Sequence, residues 1–144
     1  MEIIDLDLPK EFFERLNSSF PLGDMQSSVI GKRSVEIVKW YLLTKDQNCT
    51  FDQYQSDADL RVTLNGITID IEVKGTTDSD ISWIKLKVSG KKSYDKLLSG
   101  MPIYRVCSIY KQNPRIYILT YKDDFEMIPE PRWSIKKVGS SGKC

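Results

Sequence analysis

The sequence predicts a single α/β domain, and three features of its hydrophobic patterning carry that prediction. Period-2 alternation runs through residues 59–64 and 67–74 on either side of Asn65-Gly66, the mark of two antiparallel strands joined by a tight turn. Helical periodicity precedes this hairpin over residues 27–44 and follows it over residues 89–99. At 144 residues, 40% hydrophobic and 28% charged, the chain has the size and composition of one globular domain with its own core. The domain is expected over residues 1–138, with residues 139–144 a flexible C-terminal tail.

The elements follow in order. Residues 8–16 read as a short helix, with Pro9 suited to its first turn and Phe12, Phe13 and Leu16 as apolar contacts. Phe20-Pro-Leu-Gly-Asp breaks it, and a longer helix capped by Ser27 or Ser28 runs to about Thr44. Ile30, Ile37, Val38, Tyr41 and Leu42 form its buried stripe, while Glu36 lies on a second line with Val29, Trp40 and Leu43. Residues 51–55 give a short lead-in strand before the hairpin. After Lys74 a polar loop leads to a third strand over residues 83–88, with Ile84, Leu86 and Val88 inward. Ser89 caps a helix stopped by Gly100, and residues 104–110 and 115–121 are two further strands.

The turn dictates the hairpin's register. Thr63 faces Thr68, Val62 faces Ile69, Arg61 faces Asp70, Leu60 faces Ile71, and Asp59 faces Glu72. One face is then apolar, and the other carries Asp59, Arg61, Asp70, Glu72 and Lys74. Arg61 opposite Asp70 is an ion pair. Asp59 opposite Glu72 is not, since two carboxylates about 5 Å apart repel by roughly 3 kcal/mol at an effective dielectric near 20. A divalent cation between them converts that repulsion into coordination, and hard oxygen ligands suit Mg²⁺ or Mn²⁺.

Composition narrows the chemistry further. The chain contains no histidine, which removes Ser-His-Asp and Cys-His catalysis and histidine metal sites. Cys49, Cys107 and Cys144 are too few and too scattered for a disulfide framework or a zinc cluster. No apolar run approaches the ~20 residues of a membrane span, and the acidic N-terminus lacks the regions of a signal peptide, so an intracellular, cytoplasmic protein with no membrane partner is expected.

An acid at the start of one strand, a β-turn, then Glu-x-Lys on the next strand resembles the PD-(D/E)xK nuclease superfamily. Here the motif reads Asp59, then Glu72-Val-Lys74, preceded by a helix carrying Glu36; Ala58 stands where the family usually has proline. The resemblance covers roughly residues 31–121. It implies a restriction-endonuclease-like αβββαβ core, with a mixed central β-sheet flanked by helices and, here, an added C-terminal strand. It implies catalysis by Asp59, Glu72 and Lys74, a metal site of Asp59, Glu72 and the backbone carbonyl of Val73, and Glu36 as a further ligand. For Glu36 the alternative is a surface glutamate paired with Lys32, Arg33 or Lys39. Asp57, two residues before Asp59, is read as a partner of Lys74 or a helper.

Charge is unevenly distributed: residues 1–80 hold 8 Lys/Arg against 15 Asp/Glu, and residues 81–144 hold 13 against 5. A basic second half suits a polyanion, although a solvated surface looks the same. Lys85, Lys87, Lys91 and Lys92 lie where family members contact the phosphate backbone, with Lys91 and Lys92 in a helix's first turn. Trp83 and Trp133 could stack on bases or be buried. The expected function is Mg²⁺- or Mn²⁺-dependent endonuclease hydrolysis of DNA, RNA being less favoured; two cuts at this size would require a homodimer. The rival is a nuclease-like fold retained as a nucleic acid or protein binding module.

Overall fold

The computed structural model describes residues 1–53, 58–128 and 133–139. In chain order they form β1 (Glu2–Asp5), α1 (Lys10–Ser19), α2 (Ser27–Lys45), β2 (Thr50–Gln53), β3 (Leu60–Leu64), β4 (Ile67–Gly75), a 3-10 turn (Trp83–Lys85), β5 (Lys87–Val88), α3 (Lys91–Leu98), β6 (Ile103–Cys107), β7 (Arg115–Leu119), β8 (Phe125–Ile128) and β9 (Trp133–Lys137). Asn65 and Gly66 adopt φ of 50° and 80°, the positive values that a two-residue turn matched to strand twist demands. β3 and β4 accordingly pair in the expected register, from Leu64↔Ile67 to Leu60↔Ile71.

β4 is the hub of a six-stranded mixed sheet in the order β1-β7-β6-β4-β3-β2. β3 joins it antiparallel on one side, and β6 joins it parallel on the other. A parallel neighbour needs a crossover connection, and the segment containing α3 supplies it. Along β6 the faces alternate: Tyr104 and Val106 enter one apolar cluster and Ile103 the other. The first cluster is covered by α1 and α2, with Leu16, Ile37, Val38 and Leu42 packing on Leu60, Val62, Ile71 and Val73. The second lies beneath α3 and a three-stranded sheet, β5-β9-β8, through Leu97, Leu86, Val88, Phe125 and Ile135. The result is one mixed α/β domain whose central sheet lies between α1 and α2 on one face and α3 with the smaller sheet on the other.

Several boundaries differ from the sequence reading. The strand expected over residues 83–88 is not in the central sheet. Ser82 takes φ 51° and starts the 3-10 turn, which leaves Ile84 exposed; only Lys87–Val88 is extended, and it pairs with β9 in the second sheet. The third antiparallel strand of the hub is instead β2, the expected lead-in strand, because its four residues pair with β3 from Thr50↔Thr63 to Gln53↔Leu60. In chain order the central sheet and its helices run α2-β2-β3-β4-α3-β6, with the 3-10 turn and β5 of the second sheet between β4 and α3 and with β7 beside β6. α3 begins at Lys91 after Gly90, without the cap expected from Ser89. β1, β8 and β9 have no counterpart in the sequence reading, because EIID, FEMI and WSIKK each break period-2 alternation within their four or five residues. Of the expected tail 139–144, Gly139 sits in a turn and the rest lies outside the described residues, as does Asp57. Among the described residues no helix is long and apolar enough to cross a membrane.

Candidate active site

Asp59 stands one residue before β3 and reaches β4 with both backbone and side chain. Its N–H donates to the Ile71 carbonyl at 3.2 Å, and its Oδ2 accepts the Val73 N–H at 2.8 Å. The regular ladder ends at Leu60↔Ile71, so Asp59 and Glu72 do not form the ladder pair that the register alone predicts. The Asp59 carboxylate instead takes the place of a strand carbonyl against Val73, which fixes its orientation.

The two acids meet all the same. Glu72 is 4% exposed, next to its β6 partner Ile103 on the face of the second apolar cluster. Its carboxyl lies close enough to that of Asp59 for the two to interact, and its Oε2 lies 3.5 Å from Lys74 Nζ. Burial pushes the Glu72 carboxyl from 4.5 up to about 7; Lys74 pulls it down and Asp59 adds to the rise. Burial thus favours the protonated form of Glu72, which can donate to Asp59, and Lys74 favours the charged form. A buried carboxyl with a perturbed pKa beside a second carboxylate and a lysine is a candidate functional site.

The site opens on a cleft of about 400 Å³ whose walls are Asp59, Val73, Lys74 and Gly75 on one side and Met25, Ser27, Ile30 and Gly31 on the other. That volume lies in the range of ligand clefts. The far wall belongs to the start of α2 and the loop before it, which the sequence did not single out. A close approach holds that wall in place: a Cβ at Gly75 would stand 1.8 Å from Ser34 Oγ, so only glycine lets the end of β4 lie against α2.

Other expected residues lie elsewhere. Glu36 is not brought to Asp59 and Glu72. The buried side of α2 carries Arg33, Ser34, Ile37, Val38, Tyr41 and Leu42, and Glu36 projects from the opposite side into a crevice with Phe12, Arg15, Leu16, Ser19 and Phe20. It pairs with Lys39 at 3.7 Å, and its line of α2 packs on α1, where Trp40 stacks on Phe12. Arg33 is fully buried, donating Nε to the Ile109 carbonyl at 2.7 Å and Nη1 to that of Phe20 at 2.9 Å. Lys85 pairs with Asp78 and Lys91 with Asp95, Lys87 donates to Ser134 Oγ, and Lys92 is exposed; none of them lines the cleft. Trp133 stacks on Tyr94 with centroids 4.4 Å apart.

No protein-family model, curated protein or solved structure matches the chain. The site therefore stands on its own geometry. Among the described residues no group of three or more His, Cys, Asp or Glu side chains converges as metal ligands. Two carboxylates nevertheless suit Mg²⁺, which is bound through one or two carboxylates while waters and substrate phosphates fill the remaining positions. Asp59 Oδ1 and the Glu72 carboxyl are hard oxygen donors of that kind, and the raised pKa of Glu72 describes an acid whose proton a cation would replace.

Proposed function

We propose that this protein hydrolyses phosphodiester bonds of nucleic acid with a divalent cation, Mg²⁺ or Mn²⁺, held by Asp59, Glu72 and the main chain at Val73. The observation that carries the reading is the convergence of Asp59, buried Glu72 and Lys74 at one end of the β3-β4 hairpin, beside an open cleft. The order α2-β2-β3-β4-α3-β6 of the central sheet and its helices adds support, because it is compatible with the αβββαβ core that the motif implies once β5, which belongs to the second sheet, is set aside. DNA is favoured over RNA on the same resemblance, and a homodimer would be needed to cut both strands at once.

Asp59, its Oδ2 fixed by the Val73 N–H, would hold the cation through its other oxygen. Glu72, its proton released to solvent, would be the second ligand, and Lys74, 3.5 Å from its Oε2, would compensate its charge. When bound, the cation acts as a Lewis acid that lowers the pKa of water and offsets charge on the phosphate. The Lys74 ammonium orients the attacking water and stabilises charge developing on the phosphate oxygens. Ile30, Gly31 and the main chain of α2 restrict the cleft on the far side.

The test is a cleavage panel over single-stranded, duplex and branched DNA and RNA with Mg²⁺ or Mn²⁺ and an EDTA control. Cleavage that needs the cation and disappears in Glu72→Gln is expected. A folded protein that binds DNA, gains no thermal stability from Mn²⁺ and cuts none of these substrates would instead be a binding module.

A further inference from the structure

One register row crosses the central sheet from the candidate site to a second crevice. Lys74 on β4 is the parallel partner of Arg105 on β6, and Arg105 is the antiparallel partner of Tyr117 on β7. Partnered residues project from the same face, and two interstrand steps put Tyr117 roughly 10 Å from Lys74. There Tyr117 and Trp83, with Asp80, Ile81 and Ser82, line an open crevice of about 410 Å³. Nothing in the proposed hydrolysis uses it.

The crevice is built in advance. Arg105, 2% exposed, donates Nε to the Ile81 carbonyl at 2.8 Å, Nη1 to that of Gly75 at 3.1 Å and Nη2 to that of Ser82 at 3.5 Å. One buried guanidinium thus grips both the residue that follows Lys74 and the loop that forms the crevice wall. Cys107 Sγ donates to the Asp80 carbonyl at 3.1 Å, and Ser82 holds φ 51° where the loop turns into the 3-10 helix. Arg115 donates Nη1 to the Tyr117 hydroxyl at 3.3 Å, and Trp83 packs on the second apolar cluster, so both rings are held with one part exposed.

Two aromatic walls accept a flat π-system, and base stacking on such side chains is tolerant of base identity. Charge decides which part of a nucleic acid can enter. The Asp80 carboxylate at the rim is exposed and repels phosphate, whereas the neighbouring Asp78 is neutralised by Lys85 at 2.8 Å. That charge favours entry of a base over entry of the phosphate backbone. A base inside a duplex cannot enter without leaving its stack.

We infer that the Trp83–Tyr117 crevice takes one unpaired nucleobase of the strand whose phosphate lies at Lys74, so that the substrate is single-stranded or locally unpaired nucleic acid. The inference rests on the hydrolytic reading of Asp59, Glu72 and Lys74, and it specifies the substrate class of that site.

Binding of a labelled single-stranded oligonucleotide is measured by anisotropy in EDTA, where no cleavage occurs. Tyr117→Leu is expected to weaken binding about tenfold and Tyr117→Phe to leave it near the parent's; Trp83→Leu and Trp83→Phe should behave likewise. With Mg²⁺ present the leucine variants should raise KM about tenfold and leave kcat unchanged. An abasic residue placed at successive positions beside the cut should reproduce the loss at one position in the parent, and Tyr117→Leu should lose nothing further there. Parental binding by Tyr117→Leu, an equal loss on abasic substrate at every position, or indifference between paired and unpaired strands would overturn the inference. Tyr117-dependent binding without cleavage of any substrate would sink the hydrolytic reading alone; cleavage indifferent to Tyr117 would sink the crevice alone.

Discussion

Asp70 and Glu72 leave the same face of β4 two residues apart, yet the Asp70 carboxyl is held down at about 2 while the Glu72 carboxyl is pushed up to about 7. The cause is the partner each strand position presents. Across β3, Asp70 meets Arg61, which donates from Nε at 2.6 Å and Nη2 at 3.0 Å, and Lys96 of α3 reaches it at 2.5 Å. Glu72 meets another carboxyl and an apolar neighbour, with a single lysine 3.5 Å away. Half of the hairpin is organised for stability, then, and half carries a charge conflict that a bound cation would resolve.

Removing the conflicted acid should have the largest effect. Glu72→Gln is expected to lower cation-dependent cleavage by at least ~1000-fold, measured as single-turnover rate with Mg²⁺, through loss of a metal ligand. The same variant should change stability in the opposite sense. The folded pKa of Glu72 is raised above 4.5, so the folded state holds the proton more tightly, and the stability this brings is complete below 4.5 and lost as pH rises through 7. Metal-free parent should therefore lose up to about 3 kcal/mol of unfolding free energy between pH 4.5 and 8 relative to Glu72→Gln, as read by urea denaturation. A parallel pH dependence in the two proteins would show that Glu72 is not perturbed. Asp59→Ala should also abolish cleavage, but without stabilising, because it strips the Val73 N–H of its acceptor.

Lys74→Arg comes next. It preserves a cation beside Glu72 but replaces a compact ammonium with a planar group of much higher pKa. Cleavage at least ~100-fold slower is expected, about 2.7 kcal/mol of transition-state stabilisation, with DNA affinity kept. A rate above half the parental value would remove this lysine from catalysis.

The organised half should respond in stability alone. Asp70→Asn breaks contacts to Arg61 and Lys96 and is expected to cost about 1–2 kcal/mol at pH 7, discounted because both cationic side chains are about a third exposed. Its folded pKa is depressed, so the difference from the parent should be full above 3.8 and vanish as pH falls through 2. Cleavage by the folded variant should be unchanged. Smallest of all is Glu36→Gln: as a half-exposed partner of Lys39 outside the cleft it should shift stability by less than ~0.5 kcal/mol and leave the rate within twofold. A strong loss of cleavage in Glu36→Gln would restore the helix acid to the site.

What the sequence determined by itself was local. Asn65-Gly66 admits few turn geometries, and period-2 alternation leaves one register that buries Leu60, Val62, Ile71 and Val73 together. From that register the gathering of Asp59, Glu72 and Lys74 was legible, as was the Arg61–Asp70 pair. Tertiary structure decided the rest. Whether Trp83–Val88 became a third central strand depended on which segment reached the edge of β3, and β2 took that place. The direction of Glu36 depended on where α1 packed, because the apolar line of Trp40 is satisfied as well by a helix as by a cleft. The Glu72 pKa depended on burial by segments distant in the chain, and the Tyr117 crevice on a row of partners spanning three strands. Periodicity reports which face of an element is apolar; it carries no information about which neighbour will cover that face.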